Sequence, residues 1–281
     1  MNGELRLGGV TAGDLRASFR GEVYGDAAGM TEAWFDDHVR RNDVDLARSL
    51  RWYAGDRLAG AALLAFRGTR AWVGAFGVVP EFRGHGLGAQ FVQDTLAVAR
   101  DAGAASVELE VLAHNNAAIR LYERGGFRRA GDLVVWTRAP VAVLPWNPRA
   151  ASKILVGDLA AVTAIARRPP TCWQREPTSV AAAAPFETVL LGAAEMPEAY
   201  AFVRRTRPDA RVLDAGAGHA ASARALLDAL DAVFARETLM LMNEPPHGAL
   251  HETLATRGGW RELTRQHRMR TDLNPGQRRA S

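Results

Sequence analysis

The sequence has few of the residues that mark several large classes of protein. It contains a single cysteine, Cys172, and a single lysine, Lys153, among 281 residues. One cysteine excludes an internal disulfide framework and is typical of a reducing compartment. No run of about 18 apolar residues is present, and the first residues do not resemble a signal peptide. We therefore expect a cytoplasmic protein that has no membrane partner.

The net charge of the chain is also small. The basic residues are almost all arginine, yet the formal net charge is only +4. Basic residues do not cluster with interleaved aromatic ones, so we expect no nucleic acid partner. Apolar residues make up 48% of the chain, which is enough to bury a core, and the length suits two domains.

The most informative stretch is residues 77–89, which is rich in glycine. The apolar residues 71–79 before it predict a buried strand, and apolar residues after it recur at the spacing of one helix face. A strand, a glycine-rich turn and a helix together aim several backbone N–H groups at an anion. Because Gly84, Gly86 and Gly88 lack a Cβ, a phosphate could approach the main chain closely. We therefore expect a ligand that carries phosphates.

The turn alone leaves the ligand open. Gly84-x-Gly86-x-x-Ala89 also fits a dinucleotide-binding fingerprint, with Glu108 near the spacing of its ribose-binding acid. In that fold the strand runs directly into the first glycine, whereas residues 80–83 intervene here. A surface turn without a ligand is a third interpretation.

A second stretch, residues 115–127, narrows the choice. Its letters follow the pattern Asn-x-x-Ala-x-x-Leu-Tyr-x-x-x-Gly-Phe, formed by Asn115, Ala118, Leu121, Tyr122, Gly126 and Phe127. Together with the earlier Arg83-x-x-Gly86-x-Gly88, this segment resembles the GNAT superfamily of acyl-CoA-dependent N-acetyltransferases. The two motifs occur in the order expected for that family, and the resemblance covers roughly residues 3 to 140.

The resemblance implies acetyl-CoA as co-substrate, no metal, and a small-molecule or peptide amine as acceptor. It implies that the pyrophosphate rests on the loop and that pantetheine extends along the preceding strand. The implied coenzyme-binding residues are Val78, Val79, Arg83, Gly84, His85, Gly86, Leu87, Gly88, Ala89 and Asn115.

The catalytic residues follow from the same resemblance. Tyr122 is the expected general acid, because a phenol can protonate a departing thiolate or stabilise it by a hydrogen bond. Glu110 is the leading candidate for the general base, acting through water. Weaker candidates are His114, Glu81, Asp36 and His38. The expected reaction is direct attack of an amine, of unknown identity, on the thioester.

The second half of the chain repeats landmarks of the first. Arg124-Gly-Gly-Phe127 recurs as Arg257-Gly-Gly-Trp260, and Gly84-His85 recurs as Gly218-His219 at nearly the same offset. Aligned on these landmarks, Arg83, Gly86, Gly88 and Tyr122 stand opposite Ala217, Ala220, Ser222 and Ala255. We therefore expect a second copy of the fold that has lost its chemistry.

The predicted fold class is α/β (α+β), with two tandem GNAT-fold domains. Each domain would have a central mixed, mostly antiparallel sheet flanked by helices. Residues 1–140 would form the catalytic domain, 141–152 a linker, 153–275 the degenerate domain and 276–281 a tail.

Two alternatives stay open at this point. Residues 212–218 resemble the first motif of S-adenosylmethionine-dependent methyltransferases. A non-catalytic acyl-CoA sensor would need the same coenzyme loop as an enzyme.

Overall fold

A computed structural model describes residues 3–21, 29–142, 154–156, 172–193, 196–206 and 208–273. The strands are β1 Glu4–Leu7, β2 Leu50–Ala54, β3 Arg57–Arg67, β4 Arg70–Val78, β5 Ser106–Leu112, β6 Arg128–Arg138, β7 Ile154–Val156, β8 Glu187–Ala193, β9 Met196–Thr206, β10 Asp209–Ala217, β11 Thr238–Glu244 and β12 Trp260–Asp272. The helices are α1 Ala12–Ser18, α2 Glu32–Arg41, α3 Leu87–Asp101, α4 Asn116–Arg124, α5 Pro177–Ala182, α6 Ala220–Val233 and α7 Ala249–Thr256. Short 3₁₀ turns span Pro80–Phe82 and Trp173–Arg175. None of the helices in these ranges is long and apolar enough to cross a membrane.

The chain forms two compact units that do not coincide with its two halves. The first unit comprises residues 1–130 and 267–281, and the second comprises residues 131–266. The division differs from the predicted domains in two strands: most of β6 belongs to the second unit, and the end of β12 belongs to the first. Residues 134–138 of β6 pair with β11, and the end of β12 lies beside β5. Most of the predicted linker 141–152, and the predicted tail 276–281, lie outside the described residues.

The sheet of the first unit has the strand order β1-β2-β3-β4-β5-β12. Strands β1 to β4 are antiparallel neighbours, whereas β4 and β5 run parallel. A hydrogen bond of 2.7 Å from the Leu273 N–H to the Ala105 carbonyl joins the end of β12 to the start of β5. The sixth strand of this unit therefore comes from the far end of the sequence.

The core of the first unit lies between this sheet and its helices. The Trp52 ring stacks on Phe91 of α3, with centroids 4.2 Å apart, and both side chains are fully buried. Helix α1 begins after Thr11, because Thr11 and Asp14 form a reciprocal capping box. The end of α1 packs closely against Gly77 of β4. A Cβ built on Gly77 would lie only 2.8 Å from the Ser18 Cβ, so the contact requires glycine.

The second unit has the strand order β6-β11-β10-β9-β8-β7. The order of elements along the chain repeats that of the first unit. Strands β7 to β10, α6, β11 and α7 correspond in order to β1 to β4, α3, β5 and α4. Both units thus have the predicted mixed, mostly antiparallel sheet flanked by helices. The methyltransferase interpretation of residues 212–218 is wrong, because β10 pairs antiparallel with β9 and does not lie in a doubly wound parallel sheet.

Candidate active site

The central feature of the first unit is a gap between β4 and β5. Their parallel register comprises three pairs and ends at Trp72 opposite Glu108. The register of β4 with β3 shifts just beyond, because Gly74 is an extra, bulged residue. Beyond the bulge, β4 continues to pair with β3 but not with β5. One edge of residues 73–78 is therefore open to an extended ligand.

The backbone at the end of β4 shows which groups face this gap. The Val79 N–H donates to the Ala59 carbonyl at 2.8 Å, on the β3 side. Because successive N–H groups of a strand point to opposite sides, the Val78 N–H faces the gap. Of the two predicted pantetheine contacts, Val78 is therefore the one whose N–H faces the gap.

The glycine loop follows directly. Gly84 and Gly86 have φ values of +78° and +80°, which a residue with a Cβ rarely adopts. A Cβ built on either residue would meet nothing within 4 Å, so the loop surface is open there. Among the described residues, no group accepts a hydrogen bond from the N–H groups of residues 84–88. These unsatisfied donors at the N-terminus of α3 suit an anion.

The remaining loop residues divide into exposed and packed ones. His85 is exposed, whereas Leu87 is buried in the core. A Cβ at Gly88 would lie 3.1 Å from Leu121 Cδ2, so this glycine makes room for α4. The Ala89 N–H donates to the Gly86 carbonyl at 3.2 Å, so its hydrogen bond stays within the loop.

The Arg83 side chain bonds to the main chain. Its Nε donates to the Val78 carbonyl at 2.8 Å, and one Nη donates to the Ser18 carbonyl at 3.0 Å. The guanidinium thereby joins the end of β4, the loop and the end of α1. In this geometry the Arg83 side chain supports the loop through hydrogen bonds to the main chain.

Tyr122 of α4 is buried at the edge of the same core. Its ring meets Phe76 of β4 and Phe127 edge-on, with centroids 5.8 and 5.7 Å away. Burial raises the pKa of Tyr122 above its usual value, so the phenol stays protonated near neutral pH. Within the described ranges its hydroxyl forms no hydrogen bond, and it is therefore available to a ligand.

Glu110 of β5 is the second ionisable group beside the gap. Its Oε2 accepts a hydrogen bond of 2.8 Å from the Trp72 indole N–H. Its Oε1 is buried and has no partner in the described part of the chain. Burial raises the pKa of Glu110 to about 7, despite the bond from Trp72. A carboxyl group with this pKa can exchange a proton near neutral pH.

The other candidate bases are less well placed. Glu81 forms an ion pair with Arg20, and its own backbone hydrogen bond and this guanidinium hold its pKa below the usual value. Asp36 and His114 are exposed on the surface. His38 of α2 packs against Trp34 and Trp72, with ring centroids 4.8 and 5.8 Å away.

Asn115 has a structural role in α4. As the N-cap residue, it accepts a hydrogen bond of 3.1 Å from the Ala118 N–H through Oδ1. The cap fixes the start of the helix that carries Tyr122.

The counterpart of the glycine loop in the second unit is closed. Strand β10 runs to Ala217 and α6 begins at Ala220, so the intervening turn is too short for a comparable loop. His219 Nδ1 accepts a hydrogen bond from the Ser222 N–H at 3.2 Å, and Ser222 Oγ accepts one from the His219 N–H at 3.2 Å. The first turn of α6 is thereby capped from within the chain and offers fewer donors to an anion.

The strand gap of the second unit is filled by a side chain that sequence reasoning missed. Strands β10 and β11 pair only from Asp209 to Val212, and Arg175 lies where they part. Its guanidinium bonds to Asp214 and Ala215 of β10, at 2.6 and 2.7 Å. Its partners on β11 are the Asn243 carbonyl at 3.0 Å and Glu244 at 2.7 Å.

The fold and site of the first unit define a class of protein. A sheet with splayed parallel strands, and a helix preceded by a loop of open N–H groups, suits an extended ligand that ends in phosphates. Residues 14–127 match the family model described as the acetyltransferase (GNAT) family. Over these residues the first unit is therefore similar to the GNAT family of acetyltransferases.

Individual relatives agree with this assignment. The chain is 37% identical over 79 residues to N-alpha-acetyltransferase 30 of Schizosaccharomyces pombe, covering 26% of this chain and 53% of that protein. It is 36% identical over 110 residues to mycothiol acetyltransferase of Clavibacter sepedonicus, covering 39% of this chain and 34% of that protein. The chain thus spans about half and about a third of these two relatives.

A solved structure extends the likeness to the second unit. A tandem GNAT protein from the clavulanic acid biosynthesis pathway aligns with 98% of this chain and 100% of its own, at a TM-score of 0.67 and 16% identity. An identity this low concerns the fold alone. The predicted resemblance to the GNAT superfamily and the predicted tandem fold are confirmed.

Proposed function

We propose that this protein is an N-acetyltransferase that moves the acetyl group of acetyl-CoA to an amine by direct attack. The observation that carries the proposal is the open strand edge of β4, which leads into a loop with unsatisfied N–H groups. These two features match the two ends of the coenzyme, an extended pantetheine arm and a pyrophosphate.

The first unit can hold the coenzyme largely through its main chain. The N–H groups of residues 84–88 and the N-terminus of α3 would bind the pyrophosphate. The Val78 N–H would bind the pantetheine arm as an added strand does. Arg83, Leu87 and Gly88 would shape the loop through their packing, and Asn115 would set the start of α4.

Acetyl-CoA supplies the acetyl group as a reactive thioester. The chain's residues then need to move two protons while the C–N bond forms and the C–S bond breaks. Tyr122 has the protonated, unpartnered hydroxyl that a general acid requires, and it would donate its proton to the departing sulfur.

Glu110 would receive the proton that the amine loses, directly or through one water molecule. Its free Oε1 supplies the lone pair, and its pKa near 7 lets it act as a base at physiological pH. The amine nitrogen ends as a neutral amide, Glu110 releases its proton to solvent, and Tyr122 regains a proton from solvent.

The names of the relatives suggest which acceptors to test. One relative is named an N-alpha-acetyltransferase, and the other is named a mycothiol acetyltransferase. We therefore place peptide α-amines and small-molecule amines on equal terms in the search for the acceptor.

The proposal is tested by incubating the full chain with acetyl-CoA and a panel of both kinds of amine. Free thiol release and the mass of the acetylated product are measured together. We expect stoichiometric thiol and amide with at least one amine. Tight coenzyme binding without transfer to any amine in a broad panel would favour the non-catalytic sensor instead.

A further inference from the structure

The end of β12 places side chains of the C-terminal segment beside β5. The Leu273 N–H donates to the Ala105 carbonyl, and the charge of Arg268, five residues earlier, acts on Glu110, five residues later, so we infer that the two strands run antiparallel. Continued from this bond, the register sets Met269 opposite Leu109 and Arg268 opposite Glu110. Met269 and Leu109 belong to the same buried core cluster, as this register requires.

Arg268 consequently shares a sheet face with Glu110. Directly opposite residues of an antiparallel pair have Cβ atoms about 5 Å apart, and their side chains point the same way. Arg268 is half-buried, and one Nη donates to the Ala130 carbonyl at 3.1 Å. Its charge acts on the Glu110 carboxylate and favours the ionised form.

The other groups around Glu110 act in different directions. From β4, the Trp72 indole N–H donates to Oε2 and favours the carboxylate. On the same strand, Glu108 opposes ionisation of Glu110, although it also forms an ion pair of 3.0 Å with Arg70. His38 of α2 packs on the ring of Trp72.

We propose that Arg268 is a positioning residue for the reaction, which keeps the Glu110 carboxylate ionised and available as the base. The active site of the first unit is then completed by a residue from the end of the sequence, far from the two motifs. The proposal rests on the proposed role of Glu110.

The activity test compares pH profiles of kcat/KM for the full-length chain and three variants. Arg268→Gln should move the acid limb to higher pH by about one unit, as expected for loss of a partly screened charge. Arg268→Lys should recover most of this shift. The control is Arg270→Gln, which removes the same charge two residues away, where the guanidinium bonds to Asp272 at 2.9 Å. Its profile should stay unchanged.

A second readout does not depend on turnover. The Glu110 carboxyl carbon is titrated by NMR in the full-length protein with labelled glutamate, and its signal is assigned by its loss in Glu110→Gln. Its midpoint should rise in Arg268→Gln and not in Arg270→Gln. Arg268→Met keeps the apolar stem and replaces the glutamine variant if that one does not fold.

The outcomes separate the two proposals. Full activity of Glu110→Gln would remove the proposed base, whatever the titration shows. An equal midpoint in wild type and Arg268→Gln would overturn the role of Arg268, even if Glu110 is essential. Equal shifts of the Glu110 midpoint in the Arg268→Gln and Arg270→Gln variants would overturn the specific role of Arg268, because the shift would then follow from the lower net charge alone.

Discussion

Removing residues 267–281 should destabilise the first unit, although this unit is otherwise built from residues 1–130. The truncated chain ends at Gln266 and lacks the part of β12 that lies beside β5. It loses Met269 and Leu273, which are 1% and 5% exposed in the core of the first unit. It also loses the hydrogen bond that Leu273 donates to Ala105.

The expected loss is large compared with the stability of a domain. Burial of a methionine or leucine side chain contributes about 1.5–3 kcal/mol, so the two together contribute about 3–6 kcal/mol. Typical domains have unfolding free energies of about 5–15 kcal/mol. Truncation should therefore leave the first unit partly unfolded at 37 °C. A fragment of residues 1–145 lacks the same strand, and we expect it to behave similarly.

The assay is hydrogen exchange of the β5 backbone, read by mass spectrometry, together with urea unfolding. The control chain ends at Leu273 and so lacks only residues 274–281. We expect β5 to lose most of its protection in the chain that ends at Gln266 and to keep it in the control. Equal protection and equal unfolding free energies in both chains would refute the placement of β12 in the first unit.

Three further predictions concern single side chains. Gly86→Ala should weaken acetyl-CoA binding about tenfold in calorimetry, because a Cβ at φ +80° strains the loop and projects into the open space above it; an unchanged Kd would place the pyrophosphate elsewhere. Arg175→Met should lower the urea unfolding free energy by about 3–5 kcal/mol, because Asp214 and Glu244 lose their buried cation; a loss under 1 kcal/mol would contradict this. The pKa of Glu110 is about 7 in the folded protein and 4.5 in the unfolded chain, so the folded state binds the proton more tightly. The free energy of unfolding therefore falls as the pH rises from 4.5 to about 7. Glu110→Gln should therefore be more stable than wild type at pH 8, by up to about 3 kcal/mol, and equal near pH 4; the same gap at both pH values would exclude titration as the cause.

Local motifs could be predicted from the sequence because their residues are consecutive. The two left-handed glycines of the loop and the N-cap at Asn115 each depend on a few neighbouring residues. The repeat could also be predicted, because Arg124-Gly-Gly-Phe127 and Arg257-Gly-Gly-Trp260 share three of four residues. In the structure Gly126 and Gly259 adopt the same turn, with φ values of +92° and +90°.

Long-range strand pairing could not be predicted in the same way. The alternation of a strand shows which face is buried but not which strand lies beside it. The exchange of β6 and β12 between the units therefore left no signal in the local pattern. Arg268 was missed for this reason, since its register with Glu110 exists only in the folded sheet.

The second copy of the fold was predicted correctly from the sequence, but the alignment of its loop with the first copy was imperfect. The landmarks placed Ala217 opposite Arg83, whereas Ala217 ends β10 as Val78 ends β4. The structure shows that the loop itself is missing, not only its glycines. Nothing in the sequence near Arg175 indicated that its side chain would fill the gap between β10 and β11.

The most direct test of the proposed chemistry is the single-turnover rate of acetyl transfer by Tyr122→Phe. This change removes the hydroxyl and keeps the ring contacts with Phe76 and Phe127. We expect acetyl-CoA affinity to be preserved and the transfer rate to fall about 10²–10⁴-fold, the range for loss of a proton donor. An unchanged rate, with chemistry shown to limit the turnover, would contradict Tyr122 as the general acid and leave it a core residue.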